Sequence, residues 1–228
     1  MLKVGRDIER YRVEAILGRG GAGTVYGVRH RTLGTVHALK VLHIASPVMR
    51  ARFIEEGRIQ ARLRHENIVH VSDVLDVQGH PGLLMDCVTG GSLLDRLRVA
   101  PVHLSDVVRW GCDTVSGVAH AHAQRVTHRD LKPANVLLTT ATMDRRAIAR
   151  VTDFGLARVL GGGHPSLTQM GSMLGTPAYM APEQVEDPRS VDERADIFSL
   201  GVLLYEVSTG ARPFEGDDHG QIFAAARS

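Results

Sequence analysis

The sequence predicts an α+β fold of two lobes, in which a small antiparallel β-sheet with one key helix precedes a mainly helical lobe. Two observations predict this order. Short apolar runs separated by glycine and polar turns, typical of hairpin strands, fill the first part of the chain. Apolar residues recur at helical spacing after Leu104, beyond a polar connector that contains Gly90 and Gly91. We therefore predict an N-terminal lobe of residues 1–87 and a C-terminal lobe of residues 88–228.

The composition is that of an ordinary globular protein. The chain has 228 residues, of which 43% are hydrophobic and 23% charged, enough to form a substantial core. A formal net charge of +2 is too balanced to indicate a nucleic-acid or membrane partner. Cys87 and Cys112 lack metal-ligand spacing, which indicates two reduced thiols. The sequence shows no signal peptide and no membrane segment, so we expect a cytoplasmic chain.

The first strand, residues 11–17, leads into the pattern G-x-G-x-x-G-x-V, formed by Gly18, Gly20, Gly23 and a valine. Glycine lets the backbone approach a phosphate closely, although a plain hairpin turn would give the same letters. A dinucleotide-binding turn would require a helix directly after the glycines. Residues 24–28 instead continue as a strand, which favours a glycine-rich hairpin lid, and the absence of Gly-Lys-Ser/Thr excludes a Walker loop.

The next strand, residues 36–41, carries Lys40 among apolar neighbours. The simplest interpretation is an exposed strand lysine. Beneath a glycine lid, however, such a lysine is well placed for phosphate oxygens if an acid holds it. The helical pattern of residues 48–64 offers Glu55 and Glu56, of which only one can face the lysine, and the spacing favours Glu56.

The same helical pattern predicts an apolar stripe of Phe53, Ile59 and Leu63. Gly57 lies inside it and is expected to cost about 1 kcal/mol relative to Ala. We expect Gly57 and the polar Gln60 to leave this helix loosely held.

A long core helix is predicted from Leu104 to Ala123, after a shorter one that Ser92 would N-cap. Its predicted buried stripe is Leu104, Val107, Val108, Cys112, Val115, Val118 and Ala119. His120 and His122 do not share a helix face, so we interpret them as surface or packing residues. The later pattern of residues 191–209 is apolar nearly all round and predicts a buried central helix.

Residues 127–135, between the long helix and a strand, contain a chemically distinctive set. Asp130, Lys132 and Asn135 would place a proton acceptor, a fixed positive charge and a metal-binding amide in one loop. Phosphoryl transfer requires these groups, because that chemistry is mostly positioning and charge neutralisation.

Strands at residues 136–139 and 148–152 are predicted to form a hairpin that ends at Asp153-Phe154-Gly155. The hairpin would bring Asp153 beside Asn135. Two oxygen ligands of this kind suit Mg²⁺, which keeps waters and binds few protein groups.

Together these motifs resemble the catalytic domain of a eukaryotic-like, bacterial-type serine/threonine protein kinase, from about Tyr11 to the end of the chain. The resemblance implies a protein-kinase-like fold, ATP and Mg²⁺ (with Mn²⁺ as an alternative) as cofactors, and protein Ser/Thr hydroxyls as acceptors. It assigns catalysis to Asp130, Lys132, Asn135 and Thr176, and metal binding to Asn135 and Asp153. It assigns nucleotide binding to Leu17, Gly18, Gly20, Gly23, Val25, Ala38, Lys40, Glu56, Met85, Asp86, Val88 and Leu137.

Two further inferences depend on the resemblance. Aminoglycoside-type phosphotransferases fit less well, because they lack the activation segment that ends in Ala-Pro-Glu at residues 181–183. Arg129 before Asp130 marks family members that are switched on by activation-loop phosphorylation, here at Thr168, Ser166 or Ser172. We favour Thr168, modified by self-association and trans-autophosphorylation. The alternative is that these are simply polar residues of a glycine-rich loop.

The chain departs from the family pattern at its end, where the family's last helices are not found before Ser228. The usual arginine partner of Glu183 would lie on that segment, and losing one partner of a buried ion pair costs about 3–5 kcal/mol. We therefore expect a C-terminally truncated chain that folds poorly alone. The alternative function is an impaired, non-enzymatic nucleotide-binding or regulatory module.

Overall fold

The computed structural model describes residues 2–20, 23–43, 46–143, 146–155, 177–187, 191–216 and 218–227. These residues divide into two compact units. The N-terminal unit contains the described residues of 2–64 and 69–88, and the C-terminal unit contains 65–68 together with those of 89–155 and 177–227. The short segment 65–68 thus belongs with the second unit, and the lobe limits given above stay a prediction.

The N-terminal unit is built on a sheet in which every strand pairing is antiparallel. Its order is β1-β2-β3-β4-β6-β5. The strands are β1 Asp7–Ile8, β2 Tyr11–Gly20, β3 Gly23–His30, β4 Val36–Leu42, β5 Val71–Val77 and β6 His80–Asp86. The predicted antiparallel sheet is confirmed, and a strand follows the glycines as expected. The short β1 and the whole of β5 were not predicted.

One face of this sheet forms an apolar core, and helix α1, Pro47–Gln60, packs beside β6. The core contains Leu2, Ile8, Tyr11, Val13, Tyr26, Val28, Leu39, Val41, Leu75, Val77 and Leu84. Helix α1 begins after Ser46, whose hydroxyl accepts the backbone N–H of Met49, with Pro47 in the first turn.

The buried face of α1 differs from the predicted stripe. It consists of Phe53, Glu56, Gly57 and Gln60, while Ile59 is only partly buried. Leu63 is buried but lies beyond the end of the helix. A Cβ built on Gly57 would meet Leu83 Cδ2 at 2.5 Å, so a larger residue there would have to displace the buried Leu83 side chain. Gly57 is therefore a packing residue, and the expectation that it leaves the helix loosely held stays a prediction.

The C-terminal unit is mainly helical, as predicted. Ser92 caps its first helix with a capping box, because its hydroxyl accepts the N–H of Asp95 while that carboxylate accepts the N–H of Ser92. The helices are α2 Leu93–Val99, α3 Leu104–Ala123, α4 Pro182–Glu186, α5 Glu193–Thr209 and α6 His219–Ala225. A hairpin of β7 Val136–Leu138 and β8 Ala149–Val151 lies between α3 and α4, with short 3-10 turns at Pro133–Asn135 and Pro177–Tyr179.

Helix α3 has the predicted limits but buries a different face. Five of the seven residues in the predicted stripe are exposed, including Leu104 at 71% and Val108 at 58%. The buried side is Val107, Trp110, Thr114, Gly117, Val118 and Ala121. A Cβ on Gly117 would lie 2.7 Å from the carbonyl oxygen of Asn67, so the backbone of residue 67 packs closely against this side of the helix.

Helix α5 begins after the N-cap Asp192 and ends at Gly210, whose φ of +78° suits glycine. Its buried side includes Asp196, Leu200 and Leu203. Ile197 and Tyr205 are exposed at 56% and 49%, so the described helix is buried on one side and not all round. Among the described residues, no helix has both the length and the apolar character needed to cross a membrane.

Candidate active site

The loop between α3 and β7 holds Asp130 and Lys132 against each other. Lys132 Nζ lies 2.9 Å from Asp130 Oδ1 and 2.7 Å from Oδ2, so the ammonium contacts both carboxylate oxygens. Both side chains are partly buried. A charge-assisted contact of this kind is stronger than a neutral hydrogen bond and limits the orientations of the carboxylate.

Asn135 completes this cluster. The 3-10 turn Pro133–Asn135 directs its side chain back toward the loop, where Nδ2 donates to the Asp130 carbonyl at 2.8 Å and to Asp130 Oδ2 at 3.2 Å. The sequence prediction that Asp130, Lys132 and Asn135 meet in one loop describes the geometry observed. Their catalytic roles stay a prediction.

The β7–β8 hairpin brings Thr152, the residue before Asp153, into a backbone contact with Asn135. The N–H of Thr152 donates to the carbonyl of Asn135 at 2.9 Å, which continues the strand register by which Val136 faces Val151. Asp153 is the next residue and has a φ of +68°, a conformation that is uncommon for any residue other than glycine. Such strain persists where the surrounding structure holds it, and it is common at functional sites.

His128 ties the loop to the hairpin from inside the unit, where it is fully buried. Its Nδ1 accepts the N–H of Asp130 at 3.2 Å, and its Nε2 lies 2.8 Å from the carbonyl oxygen of Thr152. These partners require a neutral ring that carries its proton on Nε2. The ring also packs 4.7 Å from that of Phe154, which is itself buried.

Asp196 of α5 supports the loop backbone from below. Its Oδ2 accepts the N–H of His128 and its Oδ1 that of Arg129, each at 2.7 Å. The carboxylate has no exposed surface. Burial alone would raise the pKa of Asp196, but the hydrogen bond from His122, the electrostatic effect of the nearby His128 and the two backbone N–H groups together outweigh it and hold that pKa below its usual value.

His122 is a site residue that the sequence interpretation missed. It was interpreted as a surface or packing residue, yet its Nε2 lies 2.7 Å from Asp196 Oδ2, and its side chain is mostly buried. The two residues come from α3 and α5, so no spacing within either helix reveals the contact. A histidine near the end of a core helix was the only signal available.

Gln184 of α4 is the second residue that was missed. Its Nε2 donates to the carbonyl of Arg129 at 2.8 Å, and its Oε1 accepts the N–H of Ala181 at 3.0 Å. Arg129 itself has a φ of +68°, and its Nη2 donates to the carbonyl of Val191 at 3.0 Å. The suggested role of Arg129 as a receptor for a loop phosphate stays a prediction.

The three glycines of the predicted lid differ in what surrounds them. A Cβ on Gly23 would lie 2.3 Å from the carbonyl oxygen of Val41, so packing within the sheet requires glycine there. No described atom lies within 4 Å of a Cβ built on Gly18 or Gly20, and neither has a positive φ. Among the described residues, therefore, nothing in the protein requires glycine at these two positions.

Strand register places several predicted nucleotide-binding residues on one face of the sheet. Val25 faces Lys40 across β3 and β4, and Ala38 faces Met85 across β4 and β6. Directly opposed residues share a face, as do residues two apart on one strand. Val25, Ala38, Lys40 and Met85 therefore lie on the same side, away from the apolar core of the unit.

Helix α1 approaches this same side. Leu83 faces Lys40 in the register, and Leu83 is the residue that Gly57 packs against. Glu56 is buried, whereas Glu55 is exposed and forms an ion pair with Arg58 at 3.3 Å. Of the two glutamates, Glu56 is thus the one that points inward, as the spacing predicted. Its pairing with Lys40 stays a prediction.

The remaining predicted residues lie at the edges of these elements. Leu17 is an exposed residue of β2, Asp86 faces His37 at the end of β6, and Val88 is partly buried just beyond. Leu137 is a partly buried residue of β7 that faces Arg150. Thr176 and the three phosphorylation candidates Thr168, Ser166 and Ser172 lie outside the described residues.

Comparison with known proteins gives a consistent result. Residues 11–228 match the family model for the protein kinase domain. The serine/threonine-protein kinase PknJ of Mycobacterium tuberculosis is 41% identical over 217 residues, which cover 93% of this chain and 36% of that protein. The DNA damage-responsive serine/threonine-protein kinase RqkA of Deinococcus radiodurans is 40% identical over 213 residues, covering 91% of this chain and 31% of that protein. The chain thus spans about a third of the length of these curated relatives.

Solved structures agree with the sequence matches. The crystal structure of the Mycobacterium tuberculosis PknI kinase domain superposes with a TM-score of 0.73 at 29% identity, covering 94% of this chain and 80% of that one. The two-lobed kinase fold predicted from sequence is therefore confirmed. With a family match across nearly the whole sequence, the chain belongs to the protein kinase domain family.

Proposed function

We propose that this chain is a protein serine/threonine kinase domain that transfers the γ-phosphoryl group of ATP to Ser and Thr hydroxyls of proteins. The observation that carries the proposal is the Asp130 cluster. Its carboxylate is held by the Lys132 ammonium and the Asn135 amide, on a loop that is fixed to the buried Asp196. This arrangement supplies a positioned base and a fixed positive charge, the two protein groups that phosphoryl transfer needs.

Asp130 would accept the proton of the acceptor hydroxyl. Its Oδ1 and Oδ2 are both within hydrogen-bond distance of Lys132 Nζ, so the carboxylate is oriented before an acceptor arrives. The backbone N–H of Asp130 is bound by His128 and its carbonyl by Asn135, which fixes the residue on both sides of its Cα. Lys132 would then stabilise the negative charge of the group in transfer.

Asn135 and Asp153 would hold Mg²⁺, or Mn²⁺ in its place. The Nδ2 atom of Asn135 is directed at Asp130, which leaves its amide oxygen to face elsewhere, and Thr152 joins its backbone to the residue before Asp153. An amide oxygen and a carboxylate fit these hard cations. Among the described residues no group of three His, Cys, Asp or Glu side chains could hold a metal. When bound, the cation supplies charge neutralisation at the phosphates.

The face of the N-terminal sheet that bears Lys40 would bind the nucleotide. Lys40 would contact the phosphates while Glu56 holds its ammonium, and Val25, Ala38 and Met85 would contact the base. Gly18 and Gly20 support this assignment, because no described residue occupies the space that a side chain there would fill. An external group that approaches the backbone closely explains glycine at both positions.

A protein acceptor is favoured over a small molecule. The relatives named above are serine/threonine-protein kinases, and the Ala-Pro-Glu segment at residues 181–183 is present, as it is not in aminoglycoside-type phosphotransferases. We place the reaction in the cytoplasm, where ATP is abundant and the free thiols of Cys87 and Cys112 would stay reduced.

Regulation would depend on phosphorylation at Thr168, modified in trans by a second copy of the chain. A phosphate adds about −1.5 to −2 charge and three acceptor oxygens, which suit an arginine such as Arg129. Replacing Thr168 with Ala should lower activity sharply. Equal activity and equal phosphate incorporation in that variant would exclude Thr168, leaving Ser166 and Ser172.

The function is tested by incubating the protein with γ-labelled ATP and Mg²⁺ and comparing it with Asp130→Asn. We expect labelled phosphoserine or phosphothreonine in the original sequence only. Label in neither sample would support the non-enzymatic module, and equal label in both would indicate a contaminating kinase. Adding an aminoglycoside as acceptor distinguishes the small-molecule alternative, which requires label on the antibiotic.

A further inference from the structure

We propose that Gln184 is a positioning residue that fixes the peptide joining Arg129 to Asp130 and thereby orients the Asp130 carboxylate. The structural part concerns the loop alone, while the catalytic consequence rests on the proposed kinase function. Gln184 belongs to α4 and lies 55 positions after Arg129 in the sequence.

The side chain of Gln184 uses both ends of its amide. Oε1 accepts the N–H of Ala181 at 3.0 Å, and Nε2 donates to the carbonyl of Arg129 at 2.8 Å. The first contact is local, at the N-terminus of α4, and it orients the side-chain amide of Gln184. The second contact crosses to the loop, so Gln184 joins the segment that precedes α4 to the residue directly before Asp130.

The peptide that Gln184 holds is bound at both of its polar atoms. Its oxygen, on Arg129, accepts from Gln184, and its N–H, on Asp130, donates to Nδ1 of His128 at 3.2 Å. With both atoms held, the peptide plane cannot rotate freely. Its orientation determines the direction in which the Cα–Cβ bond of Asp130 points toward Lys132 and Asn135.

Arg129 has an unfavourable backbone conformation that makes this restraint necessary. Its φ is +68°, which a residue with a side chain adopts only where contacts maintain it. Asp196 binds the N–H of Arg129 at 2.7 Å and Gln184 binds its carbonyl, so the two residues restrain Arg129 from opposite sides. If the Gln184 contact were lost, the carbonyl end would be free to turn toward a more common conformation.

The substitution Gln184→Glu isolates the contact with Arg129. A carboxylate retains an acceptor for the N–H of Ala181 but has no hydrogen to donate to the Arg129 carbonyl. Gln184→Met removes both contacts at similar size and serves as a second variant if the new charge disturbs folding. Gln124→Glu is the matched control, because Gln124 is exposed and its Nε2 lies 2.7 Å from Nε2 of His120 at the end of the same helix, not from the Arg129 carbonyl.

Two measurements test the proposal on the whole chain. Hydrogen exchange should be faster at the amides of residues 128–131 in both Gln184 variants, and unchanged at residues 136–138 and in Gln124→Glu. With labelled ATP, kcat should fall by about 10- to 100-fold, because small misplacements of a catalytic group cost that much. The KM for ATP should stay within about twofold, since the loss affects the reaction step more than ground-state binding.

Each result decides the question. Unchanged exchange at residues 128–131 in Gln184→Glu would overturn the restraint itself. Faster exchange with unchanged kcat would overturn the role in orienting Asp130. Absence of turnover in both the original sequence and Asp130→Asn would refute the proposed function instead, and the exchange data would still establish or refute the loop restraint.

Discussion

The Nε2 atom of His122 lies 2.7 Å from Oδ2 of Asp196, a carboxylate with no exposed surface. The same carboxylate accepts the backbone N–H groups of His128 and Arg129. Helix α3, helix α5 and the loop that carries Asp130 are therefore joined at one buried group. Since buried charges are costly unless they are fully hydrogen-bonded, this junction is sensitive to the loss of any partner.

Replacing Asp196 with Asn should strongly destabilise the protein at neutral pH. An amide is neutral and has one accepting oxygen where the carboxylate has two, so at least one loop N–H loses its acceptor, which costs about 1.5–3 kcal/mol. Urea unfolding at pH 7 measures the change. Equal midpoints for the two proteins would contradict the supporting role of Asp196.

The stabilisation from Asp196 should disappear in acid. Its pKa is lower in the folded protein than the ordinary carboxyl value of 3.8, so its contribution is complete above that value and is lost as the pH falls through the folded-state pKa. The difference between the original sequence and Asp196→Asn should therefore stay constant from pH 7 to about pH 5 and shrink below about pH 4. A difference that grows in acid would show that the pKa shift has the opposite sign.

His122 should be replaceable only by a side chain that donates a hydrogen bond. In His122→Phe the buried carboxylate of Asp196 loses a donor, and we expect a loss of about 1.5–3 kcal/mol in the free energy of unfolding. His122→Gln retains a donor and should lose clearly less. Thermal and urea unfolding of the pair check this, and equal losses in both variants would indicate that His122 acts by packing alone.

Two glycines inside helices should respond oppositely to alanine. A Cβ at Gly57 would meet the buried Leu83 at 2.5 Å, so Gly57→Ala should destabilise by about 1–3 kcal/mol despite a better helix propensity. Gly201 in α5 has no described atom within 4 Å of a built Cβ, so Gly201→Ala should stabilise by up to about 1 kcal/mol. Urea unfolding measures both signs, and stabilisation by Gly57→Ala would contradict the close contact.

Alanine substitutions of the lid glycines should separate effects on nucleotide binding from effects on protein stability. Gly18→Ala and Gly20→Ala meet no described atom, so we expect unchanged melting temperatures but weaker binding of a fluorescent ATP analogue. Gly23→Ala would place a methyl group 2.3 Å from the Val41 carbonyl oxygen and should lower the melting temperature. Unaltered nucleotide affinity in the first two variants would remove Gly18 and Gly20 from the proposed binding site.

The sequence predicted the elements well and the buried faces less well. The limits of α3 follow from local periodicity. The helix has apolar residues on two sides, however, and the stripe predicted to be buried is mostly exposed. The buried side is the one on which Gly117 lies, where the carbonyl oxygen of Asn67 is 2.7 Å from a built Cβ. Since Asn67 is distant in the sequence, a pattern within the helix does not contain this information.

The candidate site likewise contains residues that the sequence predicts and residues that it does not reveal. Asp130, Lys132 and Asn135 lie within one short loop, so their residue types and spacing were enough to predict that they meet. His122 binds Asp196, which lies 74 positions away in the sequence and supports the loop. Gln184 binds Arg129 of the loop from 55 positions away. Neither residue belongs to a recognisable local motif.

By itself the sequence determined most of the strands and the long helices, the kinase family and the side chains that are able to perform the chemistry. These properties follow from short-range periodicity and from reactive groups that stand close together along the chain. Only the tertiary structure decided which helix faces are buried, how closely Gly57 packs against Leu83 and how Asp196, His122 and Gln184 restrain the loop that carries Asp130. Each of those depends on packing and hydrogen bonds between distant segments, which form only when the chain has folded.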